Sequence, residues 1–293
     1  LEQLPPHSET ELPRYLSDVR RALEAVLLRA NLSIWLMVDR LDEIFPRRSE
    51  LERTALRGLL RSMRILSSDT IRVKVFLRDD MLEHVVSGEN GFVALTHITA
   101  RQADTLRWTE EQILSMVVKR IFANPPMREY LRVDAERLDA SAEYRREAFY
   151  LVFPPKVHRG GKQSPTLTWI YNRCADGRGV VTPRDVLDML IRATQYQQDA
   201  CRGNPAGVSD WVIGPPALQY GLEELSKRKR LTYLQAEFPH LWPHIERLVG
   251  GKTEYSEQTL RRTFGPEWRR VTDDLVSIGL FATATRTGEP AYI

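Results

Sequence analysis

Three carboxylates stand out in this chain. Asp39, Asp42 and Glu43 follow directly on the apolar run Ser33 to Val38, in the stretch SIWLMVDRLDEIF. A buried strand has no packing use for acids at its end. One carboxylate there can hold a hydrated Mg²⁺, an ion that takes one or two carboxylates together with phosphate oxygens, while an acid slightly further on can orient or deprotonate an attacking water. The plain alternative is a polar helix start, because Asp and Glu favour first turns. Asp42 and Glu43 are both suited to the water-activating role, and spacing does not choose between them. Arg78, in Leu77-Arg78-Asp79-Asp80, follows a second strand-like segment in which Ile71, Val73, Val75 and Leu77 alternate with Arg72, Lys74 and Phe76. Its guanidinium suits bidentate phosphate contact, or equally a surface ion pair. Arg184 follows Pro183 at a helix start and carries the same two readings.

The elements that would position these residues follow from apolar spacing. From Glu11 to Arg29, Leu12, Tyr15, Leu16, Val19, Leu23, Val26 and Leu27 recur at three- and four-residue steps, the pattern of an amphipathic helix. Ser33 to Val38 has strand length and continuous apolarity, the mark of a strand covered on both faces. Ser49 with Glu52 has capping-box spacing and opens a helix with Leu51, Ala55, Leu59, Met63 and Leu66 on one face. Ile71 to Leu77 reads as a second strand, and Trp108 to Ala123 as a helix. Helix, strand, helix, strand in this order predicts an α/β unit with a parallel sheet. A parallel strand delivers its C-terminal end to the crevice where such proteins bind ligands, which places Asp39 and Arg78 at one edge.

Further on, Pro125-Pro126 and Pro154-Pro155 bracket a charged stretch with weak periodicity, and HRGGKQSP reads as an exposed loop. Thr182-Pro183-Arg184-Asp185 restarts helix, with Thr182 as N-cap. After CRGNPAG, helix resumes near Pro216. The chain ends as helix Ser256 to Phe264, a Gly265-Pro266 turn, helix Glu267 to Ile278, and two short strands joined by Arg286-Thr287-Gly288-Glu289, the outline of a winged helix. The expected domains are residues 1–124, 125–215 and 216–293.

The box hhhhDxxDE in SIWLMVDRLDEIF is a Walker B pattern. Together with IRVKVFLRDDML, WTEEQILSMVVKRIF, TPRDVLDMLIRAT and the C-terminal outline, it resembles P-loop ATPases of the STAND and AAA+ kind. The chain is similar to NACHT, KAP and origin-recognition members, and most similar to bacterial P-loop ATPases that end in a winged helix. The resemblance implies an α/β fold (an incomplete P-loop NTPase core with a parallel sheet), followed by an α-helical lid and a C-terminal winged helix. It also implies ATP and Mg²⁺ as cofactors: Asp39 would ligate Mg²⁺ through water, Asp42 or Glu43 would polarise the hydrolytic water, and Arg78 and Arg184 would occupy the sensor 1 and sensor 2 places. Such proteins are switches that couple hydrolysis to domain rearrangement or oligomerisation, here with bacterial defence or signalling as the setting. NACHT boxes usually have Gly where this chain has Arg40.

The sequence contains no GxxxxGK[ST], the loop whose N–H groups cradle phosphate. Gly160-Gly161-Lys162-Gln163-Ser164 is a lookalike, with Lys156 at the place of the first glycine, and it follows both strands instead of preceding them. Because Leu1 is not a natural start, the phosphate loop is expected upstream of it, and the chain alone is expected to hydrolyse ATP poorly. A degenerate ATPase is the alternative.

Composition narrows the partners. With 42 basic and 39 acidic side chains the net charge is only +3, so a nucleic-acid surface has to be a local patch. The C-terminal segment offers one: KRKR at Lys227 to Arg230, then Arg261, Arg262, Arg269, Arg270 and Arg286. DNA is a possible partner through this module, and a homo-oligomer or an effector protein is the other. The module can equally pack on its own chain, with Trp268, Val271, Leu275 and Ile278 as core. Cys174 and Cys201 form no CxxC or His/Cys cluster, which with the lack of a long apolar run makes a cytoplasmic, non-membrane protein the expectation.

Overall fold

The computed structural model describes residues 12–44, 49–86, 105–203, 210–286 and 289–292. Glu11, Phe45, most of CRGNPAG and the Thr287-Gly288 turn lie outside them. The fold is mostly helical with a small parallel sheet, and it divides into two units, Leu1–Asp104 and Thr105–Ile293. The division falls earlier than the 124/125 boundary read from sequence. No helix among the described residues is long and apolar enough to cross a membrane.

In the first unit, α1 (Leu12–Ala30) leads into β1 (Ile34–Val38), α2 (Glu50–Leu66), β2 (Ile71–Val75) and α3 (Asp79–Val86). β1 and β2 pair in parallel with Ile34 opposite Ile71 and Val38 opposite Val75. α2 starts where the Ser49 side chain accepts the Glu52 N–H at 3.1 Å, satisfying one orphan donor of the first turn. Its buried face is centred on Leu56 and Leu60, which meet Leu41, Met81 and Val85, while Leu59 and Met63 flank it and Leu51 is exposed. That face is rotated from the expected one because Glu52 is itself buried, lying 4.0 Å from His84 of α3.

β1 departs most from expectation. The sequence predicts cover on both faces, yet Trp35 is 57% and Met37 60% exposed, and Ile34 and Leu36 are open as well. Five apolar residues in a row at a pleated, exposed strand form a surface that a partner strand or helix would normally cover.

The second unit opens with α4 (Glu110–Phe122), held by a full capping box in which the Thr109 hydroxyl accepts from the Gln112 N–H at 3.3 Å and the Gln112 side chain accepts from the Thr109 N–H at 2.9 Å. Its apolar face, Ile113, Leu114, Val117, Val118 and Phe122, is the start of a core shared with later helices, and so this segment belongs to the second unit. α5 (Pro125–Leu131), α6 (Ala135–Ala140), α7 (Ala142–Val152) and α8 (Thr166–Cys174) follow. Burial beside Met189 pushes the Cys174 thiol up to about 12, where it is a protonated core residue at neutral pH.

α9 (Pro183–Gly203) begins with Thr182 accepting the Asp185 N–H at 3.2 Å. It runs antiparallel to α10 (Pro215–Lys229) as a close hairpin, because a side chain is missing at the crossing: a Cβ on Gly221 would lie 2.4 Å from the Met189 carbonyl oxygen. At the far end Lys229 pairs with Asp185 at 2.9 Å and Arg228 pairs with Asp188. Lys227 pairs with Glu223 and Glu224, both at 2.9 Å, and these carboxylates hold its ammonium well above the usual lysine range. Two of the four charges in KRKR thus bridge the hairpin, and a third is paired within α10.

A π-helical turn (Arg230–Gln235) leads to α11 (Trp242–Glu246), β3 (Tyr255–Ser256), α12 (Glu257–Phe264), α13 (Trp268–Ser277), β4 (Thr283–Arg286) and β5 (Glu289–Tyr292). The strands form an antiparallel sheet in the order β3, β5, β4. A second core joins Phe238, Leu241, Tyr255, Leu260, Phe264, Trp268, Val271 and Leu275. This module leans on the helices before it: the Gly177 N–H donates to the Gly279 carbonyl at 2.6 Å, and a Cβ on Gly177 would sit 2.4 Å from the Phe281 oxygen.

Candidate functional site

β1 and β2 end together. Phe76 donates its N–H to the Val38 carbonyl at 2.9 Å, so the chain beyond each strand leaves the sheet at the same edge. After β1, the Asp39 carboxylate accepts the N–H of Arg40 at 2.8 Å, closing a tight turn. Arg40 itself is left-handed, with φ 57° and ψ 38°. That conformation crowds a Cβ and costs a non-glycine residue about 1 kcal/mol. Replacing Arg40 with Gly is therefore expected to raise the stability of the first unit by up to about 1 kcal/mol, measurable as a shift in urea midpoint; a loss of stability would show that the exposed side chain holds the turn.

The turn continues as one 3-10 coil, Leu41–Glu43, and buried Leu41 anchors it in the core. This anchoring turns Asp42 towards β2, where its Oδ2 accepts from Nη1 of Arg78 at 3.2 Å. The same guanidinium donates from Nε and Nη2 to both oxygens of Asp80, at 3.0 and 3.1 Å. Arg78 is thus a bidentate partner of Asp80 on α3 and a bridge to Asp42 beyond β1. All three side chains are partly exposed, at 37% for Arg78, 31% for Asp42 and 24% for Asp80. Glu43 projects into solvent and lies 3.8 Å from an equally exposed Arg40, a pair of little energetic weight.

Of the residues singled out by sequence, the structure brings Asp42 and Arg78 into contact and sets Asp39 and Glu43 beside them on one short turn. Asp39 is exposed, and among the described residues its carboxylate accepts only the adjoining Arg40 N–H, which leaves it lone pairs to spare. Among the described residues no three His, Cys, Asp or Glu side chains gather around a common point. A single open carboxylate such as Asp39 could hold a hydrated Mg²⁺ completed by waters and phosphate oxygens, but could not form an all-protein cage. Asp80 was missed by sequence reasoning. Its signal was present, an acid two residues after the arginine in the first turn of α3, but the same two facts also describe an ordinary helix start.

Arg184 lies on the second unit, exposed at the head of α9. The GGKQS lookalike has the wrong polarity for a phosphate: the Lys156 ammonium donates to the carbonyls of Gly160 and Gly161 at 3.4 and 3.1 Å, so the loop gathers oxygens around a cation. Arg57, one of four arginines along α2, donates its Nε to the Val85 carbonyl at 3.0 Å and helps to close the end of α3.

On the C-terminal module, Arg261 and Arg269 both lie over the indole of Trp268, at 5.1 and 5.2 Å from its ring centroid. Arg270 pairs with Glu267 at 3.0 Å, and Arg262 is exposed on α12. Arg286 ends β4. Comparison with known proteins adds no relative to this picture: no family model matches the chain, and neither the curated proteins nor the solved structures give a significant match.

Proposed function

We propose that the first unit is the acidic and sensor half of a Mg-ATP hydrolysis site, and that the protein is a nucleotide-driven switch. The observation that carries this reading is the Asp42–Arg78 contact at the shared edge of two parallel strands, which couples the candidate water-activating turn to a phosphate-seeking guanidinium. The left-handed backbone at Arg40 adds to it, since the boxes it resembles usually have glycine there and glycine is the residue that adopts this conformation freely. The exposed apolar β1 also supports it, as the sheet offers a face to further core.

On this reading Asp39 would hold a hydrated Mg²⁺, which would supply charge neutralisation to the nucleotide's phosphates. Glu43, with an open carboxylate, orients the attacking water and receives its proton. Asp42 is a positioning residue: it shares Arg78 with Asp80 until a γ-phosphate oxygen competes for the Nη groups, and the exchange transmits nucleotide state to the turn. The phosphate cradle comes from outside these 293 residues, and the ribbon-bearing C-terminal module, a winged helix in this reading, carries the response to an oligomer or an effector protein.

The test is Mg²⁺-dependent ATP hydrolysis by the polypeptide in its natural extent, beside the 293-residue chain. Turnover by the former and silence from the latter is the expected result. Absence of both binding and hydrolysis in the former would retire the reading.

A further inference from the structure

We infer that the α12–α13 face of the C-terminal module binds the phosphodiester backbone of duplex DNA. The inference stands on that module alone and does not rest on the nucleotide reading.

KRKR was the module's densest basic cluster by sequence, but Lys227, Arg228 and Lys229 are neutralised along the α9–α10 hairpin. The positive charge that remains concentrated is at the α12–α13 junction, in Arg261, Arg262, Arg269 and Arg270, all exposed. Among the described residues neither Arg262 nor Arg269 has an acid partner. Arg261 reaches Glu257 only at 3.7 Å, and the Arg270–Glu267 pair is exposed at 64% and 58%, where water and salt readily replace it.

Trp268 makes this junction more than a solvated edge. Its ring is fixed in the module core by Leu260, Phe264, Val271 and Leu275, and the guanidiniums of Arg261 and Arg269 lie over it. A cation–π contact with one fixed indole restrains two otherwise flexible side chains. Donors restrained in this way lose less entropy on meeting an anion, and their spacing along two helix ends suits a chain of phosphates better than a single ion. The helix–turn–helix arrangement, with α13 starting at these arginines and the β4–β5 ribbon following, is the shape that sets one helix into a major groove while its neighbour and the ribbon lie on the backbone. Lower on α13, Asp273 and Asp274 make that end acidic, so contact is confined to the helix start.

The experiment is fluorescence anisotropy of a labelled 25-base-pair duplex with the whole 293-residue chain, from low to physiological salt. Log affinity is expected to fall linearly with log salt, and Arg262→Gln with Arg269→Gln is expected to reduce that slope by about two while weakening all duplex sequences alike. Arg228→Gln, in the hairpin pair, is the control and is expected to leave the slope unchanged. Both positions are exposed, and unchanged circular dichroism would show that the variants fold. No binding at low salt, an unaltered slope in the double variant, or clearly tighter binding to duplex RNA of the same sequence would each overturn the assignment.

Discussion

Glu43→Gln is expected to lower Mg-ATP hydrolysis by roughly 10²- to 10⁴-fold, the usual span for loss of a general base, in a polypeptide that includes the phosphate cradle. Nucleotide binding should persist, because the substitution removes one proton acceptor and keeps the shape of the turn. Asp42→Asn is expected to cost less in turnover and to change the coupling instead. Its carboxylate already receives a hydrogen bond from Arg78, and the amide oxygen of asparagine can still accept it, without the charge. The measurement is single-turnover hydrolysis with separate nucleotide titration for both variants. A larger loss from Asp42→Asn than from Glu43→Gln would transfer the base to Asp42. Equal activity of both variants and the native protein would leave the carboxylates no part in chemistry.

The second large effect concerns packing. Gly221→Ala places a methyl group 2.4 Å from the Met189 carbonyl oxygen and 3.1 Å from the Cβ of Ala193, both parts of the facing helix. A backbone oxygen in an α-helix cannot swing aside, so α9 and α10 have to separate. Overpacking of this kind costs about 1–3 kcal/mol, and the Asp185–Lys229 pair at the far end loosens with it. For a unit of this size that corresponds to a fall in Tm of roughly 2–12 °C. Gly58→Ala provides the control. It lies mid-helix in α2 with nothing within 4 Å of an added Cβ, so the same chemical change there should stabilise by up to about 1 kcal/mol. If Gly221→Ala unfolds no earlier than the native chain, the hairpin has slack that the structure does not show.

Signals that depend on near neighbours were legible. Thr182 and Ser49 start helices through bonds three residues long, and the two parallel strands declared themselves, one by a continuous apolar run and the other by alternation. The helices from Pro125 to Val152 were masked because they are short, and because the prolines that read as breaks stand at a first helical turn, where proline is at home. The α2 face was displaced because Glu52 is buried opposite His84, a pairing across 32 positions that no periodicity encodes. The same limit explains KRKR: Arg228 and Lys229 find their acids some forty residues away. At the candidate site, acid and arginine types could be read, but not that Arg78 divides itself between Asp42 and Asp80. The exposure of β1 was invisible as well, since an apolar run states what a strand needs and not whether that need is met.

That open strand has a colloidal consequence. An uncovered run of Ile34, Trp35, Leu36 and Met37 is a template for edge-to-edge stacking of identical chains. Arg72 and Lys74 of β2 lie 5.9 and 5.7 Å from the Trp35 ring centroid, so the stickiest side chain of the strand is flanked by two like charges. Copies approaching through this face would bring their cations together, which makes the pair a gatekeeper against aggregation. The guard is electrostatic, and its strength depends on the buffer: salt that screens Arg72 and Lys74 also strengthens apolar association, leaving the isolated chain most soluble at low ionic strength.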